Sequence, residues 1–323
     1  MLWTGRVVGA IYAALFLVVS EASAQDTLKI ATGSRGDWNG MVGELGQRAG
    51  IFRKHGLILD ILYTAGSGET LQAVISGSVD VGTAVGTIAV MAAFSKGAPV
   101  RIIGAETTGA AEYWYASTSS PIHSIRDTDG KTIGYSTNGA STHLVVMSFM
   151  RELGLKAKPI ATGNSVATLT QVMSGQVDVG WASPAFGLKE LQENKIRIVG
   201  RATDLAVVRG QTIRVLATNA ETLAKRGNLL ARYMAAYRET LDYMYGSDPK
   251  VIQDYSEFAG TSLGFARQTR DEFYSKDMLN PDEIKGVDVL MNQAILLNFL
   301  TAPLGPEQLN ELIQIPSRQR RMP

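Results

Sequence analysis

The 323-residue chain contains no cysteine. That excludes disulfides, thiolate metal sites and a lipid carried on a cysteine behind a leader. Histidine is scarce, with three in all. His55 falls in a surface turn, His123 in a loop and His143 in the first turn of a helix, so they assemble no metal or catalytic set. Also missing are a nucleophile elbow, a phosphate-loop lysine motif, a zinc-binding helix motif and a calcium loop. No catalytic residue, metal or cofactor is therefore expected, and the chain is not expected to be an enzyme. Neither sign of charge dominates: 31 basic residues face 30 acidic ones, which argues against nucleic acid or a polyanionic surface as partner. Beyond the N-terminus no apolar run is long enough to cross a bilayer.

The first 24 residues read as a secretory signal. Arg6 supplies a positive start, Val7–Val19 an apolar stretch and Ala22-Ser23-Ala24 a small-residue cleavage site. Cleavage is expected after Ala24, leaving an exported chain whose natural home, without a lipid anchor, is a periplasm. The alternative is an uncleaved N-terminal anchor.

What is present is a long-range repeat. Leu71–Gly82 reads LQAVISGSVDVG, and Leu169–Gly180 reads LTQVMSGQVDVG, 98 positions later. Thr64, Ser67 and Thr70 align with Thr162, Ser165 and Thr168. The spacing is too long for a solenoid and fits two similar α/β halves. Each copy predicts a helix capped by Ser67 or Ser165, stopped by Gly77 or Gly175, and followed by a strand, Val79–Val81 or Val177–Val179. Asp80 and Asp178 are read as turn and strand-edge residues rather than ligands. In open α/β sheets, ligands collect beyond the carboxyl ends of strands, so Thr83–Thr87 and Trp181–Ala185 are better placed for a site.

Along the chain, strands at Leu28–Ala31, Leu59–Tyr63 and Val100–Gly104 alternate with helices. Thr132–Tyr135 opens a second series that ends at Ile196–Gly200. Tyr113–Ser117 and Thr212–Thr218 are crossing strands, and helices follow around 223–245, 249–259 and 287–299. The expected fold class is α/β: two lobes with mainly parallel sheets joined by two crossing segments. Residues 25–112 and 213–323 would form lobe one, and 113–212 an inserted lobe two.

Several segments carry a family resemblance: Arg48–Leu57 (RAGIFRKHGL), Leu71–Gly82, Gly97-Ala98-Pro99-Val100, Gly130–Gly134 (GKTIG) and Arg151–Leu155 (RELGL). In this order they resemble the substrate-binding proteins of ABC importers in the nitrate/sulfonate/taurine and thiamine-precursor (NMT1/THI5-like) superfamily. The resemblance covers nearly all of the chain after residue 24. It implies the type II periplasmic binding fold, a small polar organic ligand such as a sulfonate or carboxylate, and an ABC permease as partner. The protein itself would be a monomer. Receptors of TAXI-type tripartite transporters share the fold and a Thr-Gly-Ser-like first loop, here Thr32-Gly33-Ser34, and a sensory receptor is a further alternative. Same-fold enzymes are a remoter one. The related pyrimidine synthases use a cysteine-rich motif and have no export signal, which this chain does not match.

By the same resemblance the ligand would sit between the lobes, on loops where helix N-termini present unpaired amides. Lobe one offers Ser34, Arg35, Asp37, Trp38, Asn39, Ser67, Gly68, Glu69 and Thr87. Lobe two offers Ser136, Thr137, Asn138, Ser141, Thr142, Trp181 and Ser183. Arg35 beside Asp37 would suit a zwitterion or a polar anion.

Overall fold

The structure, a computed structural model, describes residues 25–33 and 35–316. The expected signal segment 1–24 and the candidate ligand residue Ser34 lie outside the described residues. The chain begins with β1 (Asp26–Thr32), α1 (Val42–Arg48), α2 (Ile51–Lys54), β2 (Leu57–Tyr63), α3 (Ser67–Ile75), β3 (Val81–Gly86), α4 (Thr87–Ser95) and β4 (Val100–Thr108). It continues through β5 (Tyr113–Ser117), β6 (Thr132–Tyr135), α5 (Ser141–Leu153), β7 (Lys158–Ala161), α6 (Ser165–Met173), β8 (Val179–Ala182), α7 (Leu188–Gln192), β9 (Ile196–Arg201) and β10 (Thr212–Asn219). Five further helices follow: α8 (Ala220–Met244), α9 (Lys250–Ala259), α10 (Leu263–Gln268), α11 (Val287–Leu296) and α12 (Pro306–Leu312).

The strands form two five-stranded sheets, ordered β2-β1-β3-β10-β4 and β7-β6-β8-β5-β9. β1 runs parallel to β2 and β3, and β6 parallel to β7 and β8. The two crossing strands are the antiparallel members: β10 pairs with β3 and β4, and β5 with β8 and β9. The two sheets thus have one layout, with the crossing strand fourth in each. Every residue of β10 is buried, as expected of a strand covered on both faces. Helix α8 packs on α1, α2, β4 and β10, α11 on α4, and α12 on β4.

The repeat is structural as well as sequential. Thr64 and Thr70 hydroxyls meet at 2.7 Å, as do those of Thr162 and Thr168. A Cβ added at Gly82 would sit 2.6 Å from Val74 Cγ2, and one at Gly180 2.6 Å from Val172 Cγ2. These glycines are needed for close helix–strand packing rather than for backbone freedom. Two expectations are corrected. The repeat strands begin at Val81 and Val179, two residues later than predicted. The aspartates before them bind a neighbouring strand: Asp80 Oδ2 accepts the Lys29 N–H at 2.8 Å, and Asp178 Oδ2 the Thr132 N–H at 2.9 Å. Ser67 and Ser165 are not caps; each is the first residue of its helix and uses its hydroxyl elsewhere.

Candidate functional site

That other use draws the site together. Ser67 Oγ accepts the Gly86 N–H at 2.9 Å, and Ser165 Oγ accepts the Ser183 N–H at 3.2 Å. Each helix start is thereby locked to the end of the adjoining strand. Gly66 and Ser67 at the start of α3, Ala140, Ser141 and Thr142 at the start of α5, and Asn164 at the start of α6 all line one cavity of about 30 Å³. Three helix N-termini, with their unpaired amides and positive dipole ends, therefore meet at one point. Asn164 caps α6 by accepting the Ala167 N–H at 2.9 Å. Thr142 Oγ1 accepts the Ser136 N–H at 2.9 Å and also contacts Ser136 Oγ, fixing the loop ahead of α5. The remaining wall is Gly33, Asp37, Ala84, Ser136, Trp181 and Arg214.

Arg214 and Asp37 are each 7 % exposed, and behind them lie Glu106 at 0 % and Glu112 at 2 %. Arg214, on β10, pairs through Nη2 with Glu112, which sits just before β5. The ion pair thus ties one crossing strand to the other. Burial works against the guanidinium charge, but Glu112, Tyr274 and Glu106 outweigh it and hold Arg214 above its ordinary range. Its Nη1 is buried and has no hydrogen-bond partner among the described residues. Glu106 accepts from Asn39 Nδ2 at 2.9 Å and from the Ala84 N–H. Ala84 adopts φ 57°, in the left-handed region, within β3. Burial pushes the Glu106 carboxyl up to about 7, with Asp37 adding to the rise and Arg214, Ala84 and Asn39 opposing it.

The halves touch across the cleft. The Gly68 N–H donates to Thr137 Oγ1 at 3.2 Å. A Cβ at Gly86 would lie 2.4 Å from the Gly139 carbonyl oxygen. So tight an approach leaves room for no more than a water or two.

The structure brings Asp37, Ser67, Ser136, Ser141, Thr142 and Trp181 to the cavity. Gly68 and Thr137 are not in its lining but bond to each other, and Ser183 is buried with Oγ 3.4 Å from Glu112. The other expected residues are elsewhere. Arg35 is exposed, its guanidinium over the rings of Phe258 and Tyr63 at 4.5 and 5.7 Å. Trp38 is core, edge-on to Tyr255 and donating to the Tyr245 hydroxyl at 3.0 Å. Asn39 serves Glu106. Glu69 is exposed and accepts the Ala65 N–H. Thr87 donates to the Thr212 carbonyl at 2.6 Å, and Asn138 accepts from the Tyr135 hydroxyl at 2.7 Å. Of the histidines, His55 pairs with Glu239 at 2.9 Å, and His143 is held below its ordinary value by burial.

Sequence reasoning missed Arg214, Glu106 and Glu112. Each is a lone charge inside an apolar stretch: Thr212-Ile213-Arg214-Val215-Leu216, Ile103-Gly104-Ala105-Glu106 and Ala110-Ala111-Glu112-Tyr113. A charge within a strand otherwise fit for burial was the available signal.

Comparison with known proteins follows the same lines. The profile of the family described as NMT1/THI5 like matches residues 45–252. The 4-amino-5-hydroxymethyl-2-methylpyrimidine phosphate synthase THI5 of Saccharomyces cerevisiae is 23% identical over 231 residues, a match spanning 66% of this chain and 66% of that enzyme. Among solved structures, the alkanesulfonate-binding protein SsuA from Xanthomonas axonopodis pv. citri, bound to MOPS, has TM-score 0.74 at 16% identity, covering 90% of this chain and 99% of that one. The periplasmic nitrate-binding protein NrtA from Synechocystis PCC 6803 has TM-score 0.70 at 10% identity, covering 90% and 86%. Likeness at this identity establishes the fold.

Proposed function

Since the chain belongs to the NMT1/THI5-like family, we propose that it is a periplasmic solute-binding protein that delivers a small polar organic molecule to an ABC permease. The ligand is an anion or a zwitterion, such as a carboxylate or sulfonate. The observation that carries this reading is the meeting of three helix N-termini with Arg214 Nη1 at one cavity. Buried N–H donors with no internal acceptor are costly unless an outside acceptor fills the place, and helix N-termini favour an anionic one.

In this reading residues 25–112 and 213–323 form one lobe and 113–212 the other. The two crossing segments, Tyr113–Ser117 and Thr212–Thr218, are the hinge. A ligand that contacts both lobes stabilises the closed state, and only that differential contact can drive closure. Because Arg214, in the second crossing segment, is bonded to Glu112, just before the first, a ligand bound to Arg214 pulls on both. The leader at 1–24, removed after Ala24, would place the protein in the periplasm.

A thermal-shift screen against carboxylates, sulfonates, nitrate, amino acids and pyrimidines tests the reading. A true ligand raises the melting temperature in proportion to the logarithm of its concentration. If no member of such a panel does so, the solute-binding reading fails. The likeness to the yeast synthase favours a second reading, an enzyme that forms a pyrimidine phosphate. A pyrimidine phosphate that appears in protein as isolated and was not supplied to it would decide for it.

A further inference from the structure

The halves of the cleft also meet around His143. It stands in the first turn of α5, its ring 4.4 Å from that of Tyr135 and edge-on to Phe299 at 5.8 Å, centroid to centroid. Phe299 follows α11, in the opposite half, so the ring is packed from both sides of the cleft. The Gly139 N–H donates to His143 Nδ1 at 3.2 Å. That bond fixes the turn that touches the other half. A Cβ at Gly139 would sit 2.9 Å from Ala89 Cβ and 3.2 Å from Phe299 Cε1, and the Gly139 carbonyl oxygen faces Gly86. We propose that His143 is a pH-sensitive latch on the cleft: neutral, it holds the turn 136–140 against the opposite half, and protonated, it lets the halves part. This regulates the proposed binding site and rests on the two-lobe, solute-binding reading.

The latch works through the loss of an acceptor. Accepting from Gly139 requires a bare Nδ1, with the ring proton on Nε2. An imidazolium donates from both nitrogens, so protonation sets one N–H against another at Gly139. It also places a charge in a partly buried site where no carboxylate among the described residues is paired with it. Around the ring, β6 brings Tyr135, which burial keeps neutral. The turn 136–140 and α4 carry no charged residue, Arg151 and Glu152 lie more than two turns further along α5, and Asp288 is at the far end of α11 from Phe299. Burial is accordingly what holds His143 below its ordinary 6.5. A ring face attracts a cation, but Tyr135 lies in the same half as His143, so that attraction survives opening and does not oppose it. Opening returns the ring to water and to its ordinary value, so the open state binds the proton more tightly. The closed-to-open ratio therefore falls as pH drops through about 6.5, by at most about tenfold per pH unit for one proton, and levels off below the closed-state value. Ligand would be captured near neutral pH and let go in acid.

Small-angle scattering of the ligand-free protein from about pH 8 to about pH 5, the range in which an imidazole titrates, tests the latch. Circular dichroism at each pH confirms that the fold is intact. The expected result is a radius of gyration that grows reversibly as pH falls through about 6.5. His143→Asn keeps an acceptor near the place of Nδ1 but cannot titrate, so its radius should stay constant. Glu106 titrates in the same window, but it is intact in that variant, which separates the two groups. A wild-type radius that does not change with pH overturns the latch, and that arm needs no variant to fold. A His143→Asn variant that expands as the wild type does overturns it as well. Either outcome leaves the solute-binding reading standing, because that reading falls only with the thermal-shift screen at constant pH.

Discussion

Glu106 illustrates how much of the site is decided by single buried charges. Its carboxyl is enclosed by Asn39, the Ala84 amide, Arg214 and Asp37, and burial lifts it from its ordinary 4.5 to about 7. Below pH 4.5 the folded and unfolded chains both hold the proton. Between about 4.5 and about 7 the folded chain holds it more tightly, so this group makes stability fall as pH rises through that window and then level off. Urea denaturation across the window should show that slope, and Glu106→Gln should flatten it. Arg35 and Ser141 were expected to act alike, and the structure separates them. Arg35→Ala should leave ligand affinity unchanged, because its guanidinium stacks on surface rings. Ser141→Ala, at the cavity and the first residue of α5, should lower affinity about tenfold, as calorimetry would show. The hydroxyl-rich loops of the site were legible because short polar residues before a helix have a local signature. Arg214 was missed, since what a charge within a strand does depends on which other strand arrives beside it.

Among the elements, the repeated helix–strand unit was the most legible part of the chain. Its apolar spacing and its glycines are local properties, and α3 and α6 form where the periodicity places them. The strand starts were misplaced because Asp80 and Asp178 are recruited by strands far away in sequence, which no local pattern encodes. Gly180→Ala should destabilise the protein by about 1–3 kcal/mol in chemical denaturation, since its methyl would enter the space of Val172 and Thr168. Gly86→Ala should behave differently. Its φ of −63° suits any residue, and the obstruction is the Gly139 carbonyl and Ala140 across the cleft. The added methyl should wedge the halves apart. Small-angle scattering would then report a larger radius of gyration and calorimetry a weaker ligand, with little change in the melting temperature without ligand.

For the whole molecule, the α/β class and the pair of crossing strands could be read from the order of elements, because alternating strands and helices leave few arrangements. The closeness of the cleft could not, since it rests on glycines facing backbone across a gap. One feature of the topology bears on how the chain reaches this state. The second sheet is drawn from one continuous stretch, residues 113–201, whereas the first needs β10 inserted between β3 and β4. Until residues 212–219 arrive, β4 has no strand to join it to β3, and closing that gap spans more than a hundred residues of chain. Pairings so distant in sequence form slowly. Pulse-labelled amide exchange during refolding should therefore find β5, β6 and β8 protected before β3 and β4. The inserted middle of the chain would mature first, and its two ends would then meet around it.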